Sequence, residues 1–250
     1  MASVDKGVIN YSAHIEGLKL PRFEAPLDNP YITKVCLWTD ERNTLFLDFY
    51  LAKFCTKEEA ISITEHEANL VASRLCFEFG SPIRELRCIG MTLPVDESCQ
   101  SFRVLSDLSI RFSVRLEATI TPSEARISKF AEQLTQPEGH KDVALRLYWL
   151  AATQENSIAK FMLLYHVLLF LAGDKQEQVD SLIRRVYPEV EESISPKHGN
   201  KKETVFTRLR NELAHRRKDV DLQKTIDEIT RKGGQLTEIT KSAILERYKP

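Results

Sequence analysis

The chain has 250 residues, 42% of them hydrophobic and 28% charged, with a formal net charge of −1. That length suffices for one large domain or two small ones, each able to bury a core. A balance so near neutral excludes a general coat for nucleic acid, though it leaves room for a local basic patch. The opening residues lack a basic start followed by an apolar run, so no secretory signal is expected there.

The first strands expected are two apolar, β-favouring runs in KVCLWTDERNTLFLDFYLAKF, folded about the polar Asp40-Glu41-Arg42-Asn43 as a hairpin. Thr64-Glu65-His66-Glu67 has capping-box spacing, and Ala68, Val71, Ala72, Leu75, Cys76 and Phe79 then recur at helical intervals until Gly80. This reading starts the helix at Thr64 and puts His66 in its first turn. IRELRCIGM reads as a short strand. In DLSIRFSVRLEATI, Leu108, Ile110, Phe112, Val114, Leu116, Ala118 and Ile120 alternate with polar residues, which predicts a strand with one buried and one wet face. The five cysteines all lie in the first hundred residues without a CxxC pair. That pattern fits reduced thiols better than zinc ligands or disulfides.

At Thr121-Pro122-Ser123-Glu124 the pattern changes: Thr121 serves as cap, Pro122 takes the first helical position and Glu124 stands three after the cap. From here only helices are expected, at about 123–135, 141–154, 157–172, 175–186, 203–218, 221–232 and 236–247. The fold class expected is therefore α+β. Residues 1–121 form an antiparallel sheet with one or two helices, and residues 122–250 form an all-α bundle. The longest apolar run, Phe161 to Ala172, is too short to span a bilayer and reads as a core helix with His166 hydrogen-bonded inside. A soluble, cytoplasmic protein with no membrane partner is the expectation.

The segment ETVFTRLRNELAHRRKD carries the most chemistry. On a wheel of about 100° per residue, Val205, Phe206, Leu209 and Leu213 share the core-facing arc. Thr207, Arg210, Asn211, Ala214 and His215 fall on the arc away from it. Between Lys197 and Lys218 there are eight Lys or Arg residues against Glu203 and Glu212, so the charge around His215 is locally basic. A solvated helix whose terminal Arg216, Arg217 and Lys218 complement its dipole is the plain reading of that pattern.

Arg210-Asn211-xxx-His215 resembles the R-x4–6-H motif of the HEPN superfamily, including the polar residue that often follows the arginine. The preceding apolar helix, FMLLYHVLLFLAG, and the polar loop after it are similar to the setting of that motif in bacterial Apea-like and methylamine-utilisation-accessory-like members. The resemblance covers roughly residues 123–250 and no part of the N-terminal half. It implies a helical bundle that pairs as a homodimer or higher homo-oligomer and a metal-independent endoribonuclease of the defence or stress type. It also implies RNA as partner and no cofactor or metal. His215 would then be general acid or base for attack by the RNA 2′-hydroxyl, since imidazole takes and gives protons near neutrality. Arg210 would hold the phosphate and Asn211 would position it or His215. Arg208, Arg216, Arg217 and Lys218 would add backbone affinity. Members without nuclease activity exist, so a non-catalytic dimerisation, ligand-binding or RNA-binding module is the second implication. A regulatory partner or ligand on residues 1–121 stands beside both.

Overall fold

The computed structural model describes residues 6–53, 55–94, 101–105, 119–195, 201–215 and 221–249. The fold is α+β, an N-terminal antiparallel sheet followed by helices, as expected. The chain divides into two compact units, residues 1–138 and 139–250. That division falls later than residue 121, because the helix after it packs with the sheet.

In the first unit, β1 (Val8–Ile15), β2 (Phe23–Ala25), β3 (Ile32–Thr39), β4 (Thr44–Leu51), β5 (Ile83–Pro94) and β6 (Ser101–Leu105) make one sheet in the order β2-β3-β4-β1-β5-β6. The expected β3–β4 hairpin is present. Asp40 shapes its turn by accepting the backbone N–H groups of Arg42 at 2.9 Å and Thr44 at 2.8 Å, an Asx geometry suited to its residue type. Strand alternation puts Leu45, Leu47, Phe49 and Leu51, all with no exposure, on one face with Val35, Leu37 and Ile9. Helix α1 (Lys57–Phe79) crosses that face over β1 and β5.

Helix α1 starts earlier than Thr64. Its cap is Thr56, whose side chain accepts from Glu59 N while the Glu59 carboxylate accepts from Thr56 N. Both TKEE and TEHE have capping-box spacing, but Thr64 is buried and its hydroxyl donates to Ala60 O at 2.7 Å. Tyr11 OH lies 3.1 Å from Thr64 Oγ1 and, with the threonine hydrogen committed to Ala60 O, is the donor. His66 is thus mid-helix, paired with Glu138 at 2.7 Å. Gly80 ends α1 in the left-handed conformation, φ 73°, as the sequence indicated.

Helix α2 (Glu124–Leu134) is capped by Ser123 rather than Thr121. It joins the first unit through Phe130 against Phe79, with ring centroids 5.4 Å apart, and through Arg74, which donates to Gln133 O and Gln136 O. Most of the strand expected at 107–120 lies outside the described residues. Its described end departs from the expected pattern: Ile120 is exposed and makes a single parallel bridge with Leu18.

The second unit comprises α3 (His140–Ala152), α4 (Ser157–Leu171), α5 (Gln176–Val186), β7 (Glu192–Ile194), β8 (Lys202–Thr204), α6 (Val205–His215) and α7 (Leu222–Arg247). It adds to the expected bundle a three-residue antiparallel pair, β7–β8, where residues 203 and 204 were expected to be helical. The two helices expected at 221–232 and 236–247 are one, running unbroken through Gly233-Gly234. Helix α4 packs on α3 and α7, and its Phe161, Leu164, Tyr165, Val167 and Leu168 are all nearly without exposure. His166, expected in the core, is exposed. Among the described residues no single helix is long and apolar enough to cross a membrane.

Candidate functional site

Strand β8 runs directly into α6, and the junction is organised by an acid from α5. Asp180, 6% exposed, presents one carboxylate oxygen to three donors: Thr204 N at 3.0 Å, Thr204 Oγ1 at 2.7 Å and Thr207 Oγ1 at 2.7 Å. A carboxylate at a helix N-terminus satisfies N–H groups that have no intrahelical partner and opposes the positive end of the dipole. Tyr165 OH lies 2.9 Å from Thr207 Oγ1. The threonine has one hydroxyl hydrogen and Asp180 takes it, so Tyr165 donates. Burial pushes the Tyr165 phenol up to about 12, against the opposing effect of the Thr207 hydrogen bond.

This inner polar cluster corrects the helical wheel. Thr207 is fully buried and Asn211 is 7% exposed, although both were assigned to the outward arc, whereas Leu213 is only half-buried. The wheel equates inward with apolar, and here the inward surface is partly polar.

The motif residues fall on one helix. Arg210 is half-buried, and its Nη1 donates to Asn211 Oδ1 at 3.0 Å. Asn211 Nδ2 donates onward to Glu203 Oε2 at 3.3 Å. Glu203, on β8, is itself 4% exposed, so the guanidinium is held through a buried amide to a buried carboxylate. His215 is the last residue of α6, about 7.5 Å along the axis from Arg210 and about 140° around it. The side chain of His215, and all of Arg216, Arg217 and Lys218, lie outside the described residues.

Arg208 has a different setting from the phosphate contact expected of it. Its guanidinium lies between Glu212 at 3.0 Å and Glu228 at 2.7 Å, tying α6 to α7. Burial pulls its pKa down, but the hydrogen bonds to Glu228 and Glu212 outweigh that and leave it above the ordinary arginine value. Thr225 Oγ1 donates to the second Glu212 oxygen at 2.8 Å and completes this seam. The remaining described cations of the basic segment also meet carboxylates: Lys201 pairs with Glu177, and Lys202 with Glu192 at 3.6 Å. Glu177 and Glu192, which precede the motif in the chain, therefore supply partners for the basic segment.

Sequence reasoning missed Asp180, Tyr165, Thr207 and Glu203 as parts of the site. The one available signal was the Thr204/Thr207 pair at the start of an apolar helix, a capping spacing without its usual acid three residues on. Comparison with known proteins gave no family model, no curated relative and no solved structure that matches the chain.

Proposed function

We propose that the protein is a metal-independent endoribonuclease of HEPN type, in which Arg210 and His215 of two paired copies act on one RNA phosphodiester. The observation that supports this reading is the chain from Arg210 through Asn211 to Glu203. It holds a guanidinium in place at low exposure, the preorganisation a phosphate-binding group needs before charge develops on the phosphate oxygens. Asn211 is then a positioning residue.

His215 takes the proton from the 2′-hydroxyl or gives one to the leaving 5′-oxygen. Arg210 neutralises the phosphate between these steps, and the products are a 2′,3′-cyclic phosphate and a 5′-hydroxyl. Arg210 and His215 stand five positions apart on one helix, about 140° around its axis. Two copies bring an arginine and a histidine to the same phosphate.

The test is cleavage of a labelled RNA pool in EDTA by wild type, Arg210→Ala, His215→Ala and Asn211→Ala. Cyclic phosphate ends from wild type, with a loss of about a hundredfold or more in the first two variants, is the expected result. Equal cutting by wild type and variants, or none by a folded dimer, overturns it. The second reading, a non-catalytic module for dimerisation or ligand binding, draws on the compensation of Lys201, Lys202 and Arg208 by carboxylates, which leaves these cations less to offer a phosphate. A folded dimer that neither retains nor cuts RNA is its signature.

A further inference from the structure

The sheet of the first unit has a second face, opposite α1. Strand register places side chains on it in rows: Trp38, Phe46, Ser12 and Arg87 form one, Cys36, Asp48 and Asn10 the next, and Lys34, Tyr50 and Val8 a third. Rows two residues apart along a strand are about 7 Å apart. Trp38 and Phe46 are stacked, with centroids 5.1 Å apart and planes at 14°. Arg22 continues that stack, its guanidinium 4.6 Å from the Trp38 centroid and its Nε donating to Cys36 Sγ at 3.2 Å. In the third row, Lys34 Nζ sits 4.8 Å from the Tyr50 ring.

A cross-strand aromatic pair stabilises a sheet on its own account, but this face sets three large rings in two rows, each only half-buried, with cations laid on two of them. Interleaved rings and cations are complementary to an unpaired nucleic-acid strand, whose bases stack and whose phosphates are anionic.

We propose that this face binds single-stranded nucleic acid, with bases on Trp38, Phe46 and Tyr50 and phosphates on Arg22 and Lys34. Arg22 is 60% exposed and its Nη2 stands 4.0 Å from Asp48 Oδ2, and a surface cation–π contact with a long, solvent-screened ion pair is weaker than base–aromatic stacking. A base therefore replaces Arg22 on Trp38, and the released guanidinium turns to the adjoining phosphate. Lys34 is held by Glu24 at 2.8 Å, an exposed pair that exchanges for a phosphate at little cost. The proposal stands independently of the reading of α6.

The chain has two tryptophans, so Trp149→Phe leaves Trp38 as sole reporter. In the full-length protein carrying Trp149→Phe and His215→Ala, fluorescence is followed while an unstructured pyrimidine RNA, the DNA of the same sequence, or an RNA duplex is added. Saturable quenching by the single strand, weakened about tenfold by Arg22→Glu or Lys34→Glu and by added salt, is the expected result. Equal quenching by DNA assigns the site to either sugar, and quenching by RNA alone adds recognition of the 2′-hydroxyl. The proposal is overturned if neither single strand changes Trp38 emission, if both charge reversals bind like the parent, or if the duplex binds equally well. Cleavage by the unmodified chain is measured separately, so either reading can fail alone.

Discussion

The Thr207 hydroxyl donates to Asp180 at 2.7 Å inside the second unit, joining the first turn of α6 to α5 across 27 residues of sequence. Asp180 is the shared acceptor for both threonines of the β8–α6 junction. Removing it as Asp180→Ala strands three donors and uncaps the helix, for an expected loss of about 3 kcal/mol. Asp180→Asn keeps an acceptor oxygen without the charge, and about half of that loss is expected. Urea unfolding of both variants decides the matter. If Asp180→Ala is as stable as wild type, Asp180 does not hold the junction.

How far this was legible in the sequence follows from the range of each interaction. The β3–β4 hairpin and the Gly80 stop rest on neighbours within a few residues, and both were read correctly. The start of α1 was not, because TKEE and TEHE carry the same local signal. The contact of Thr64 with Tyr11, 53 residues away, belongs to the tertiary structure. At the site, Arg210 and Asn211 were legible as a motif. The inward turn of Thr207 and Asn211 was not, since it depends on Asp180 and Glu203 as partners. Spacing in sequence says nothing of where a buried polar partner will come from.

Alkali provides a second test of the same buried network. Tyr165 and Tyr11 each have burial as the largest cause of a phenol pKa raised to about 12. In the unfolded chain these phenols ionise near 10. The folded state thus keeps protons that the unfolded state releases. The stability contribution is fully present below about pH 10 and is lost as pH rises from there through about 12. Among the seven tyrosines, Tyr11 and Tyr165 are expected to resist ionisation until unfolding, read by phenolate absorbance. Tyr165→Phe should remove one resistant phenol and cost about 1 kcal/mol at neutral pH through the lost bond to Thr207. A titration in which all seven ionise together near 10, with the fold intact, would falsify this.

Arg208 and Arg210 should separate stability from activity. Arg208 is three-quarters covered and bridges Glu212 and Glu228, so Arg208→Gln leaves two carboxylates poorly matched. Discounted for solvent screening, a loss of about 1–2 kcal/mol is expected, with RNA cleavage per folded molecule nearly unchanged. On the ribonuclease reading, Arg210→Ala is expected to abolish cleavage while costing no more than about 1 kcal/mol of stability, for the buried Asn211 oxygen left without its donor. Unfolding curves and cleavage rates measured on the same preparations check both halves. Loss of activity in folded Arg208→Gln would return Arg208 to the phosphate.

Helix α7 offers a gain rather than a loss. Gly233 and Gly234 sit inside its 26 residues, where each glycine gives up more chain entropy on folding than alanine. A Cβ added at either position meets no atom within 4 Å, so nothing needs to move to receive it. Each of Gly233→Ala and Gly234→Ala should therefore stabilise the second unit by about 0.5–1 kcal/mol. Gly80→Ala is the internal control. Its added Cβ also meets nothing within 4 Å, but its φ of 73° is one an L-residue adopts only under strain. A loss of about 1 kcal/mol is expected there. Open space is common to all three glycines, so opposite signs at Gly80 and at the pair isolate backbone conformation as the cause. Destabilisation by Gly233→Ala or Gly234→Ala would mean that the glycines serve a bend or a close contact that α7 makes with another molecule.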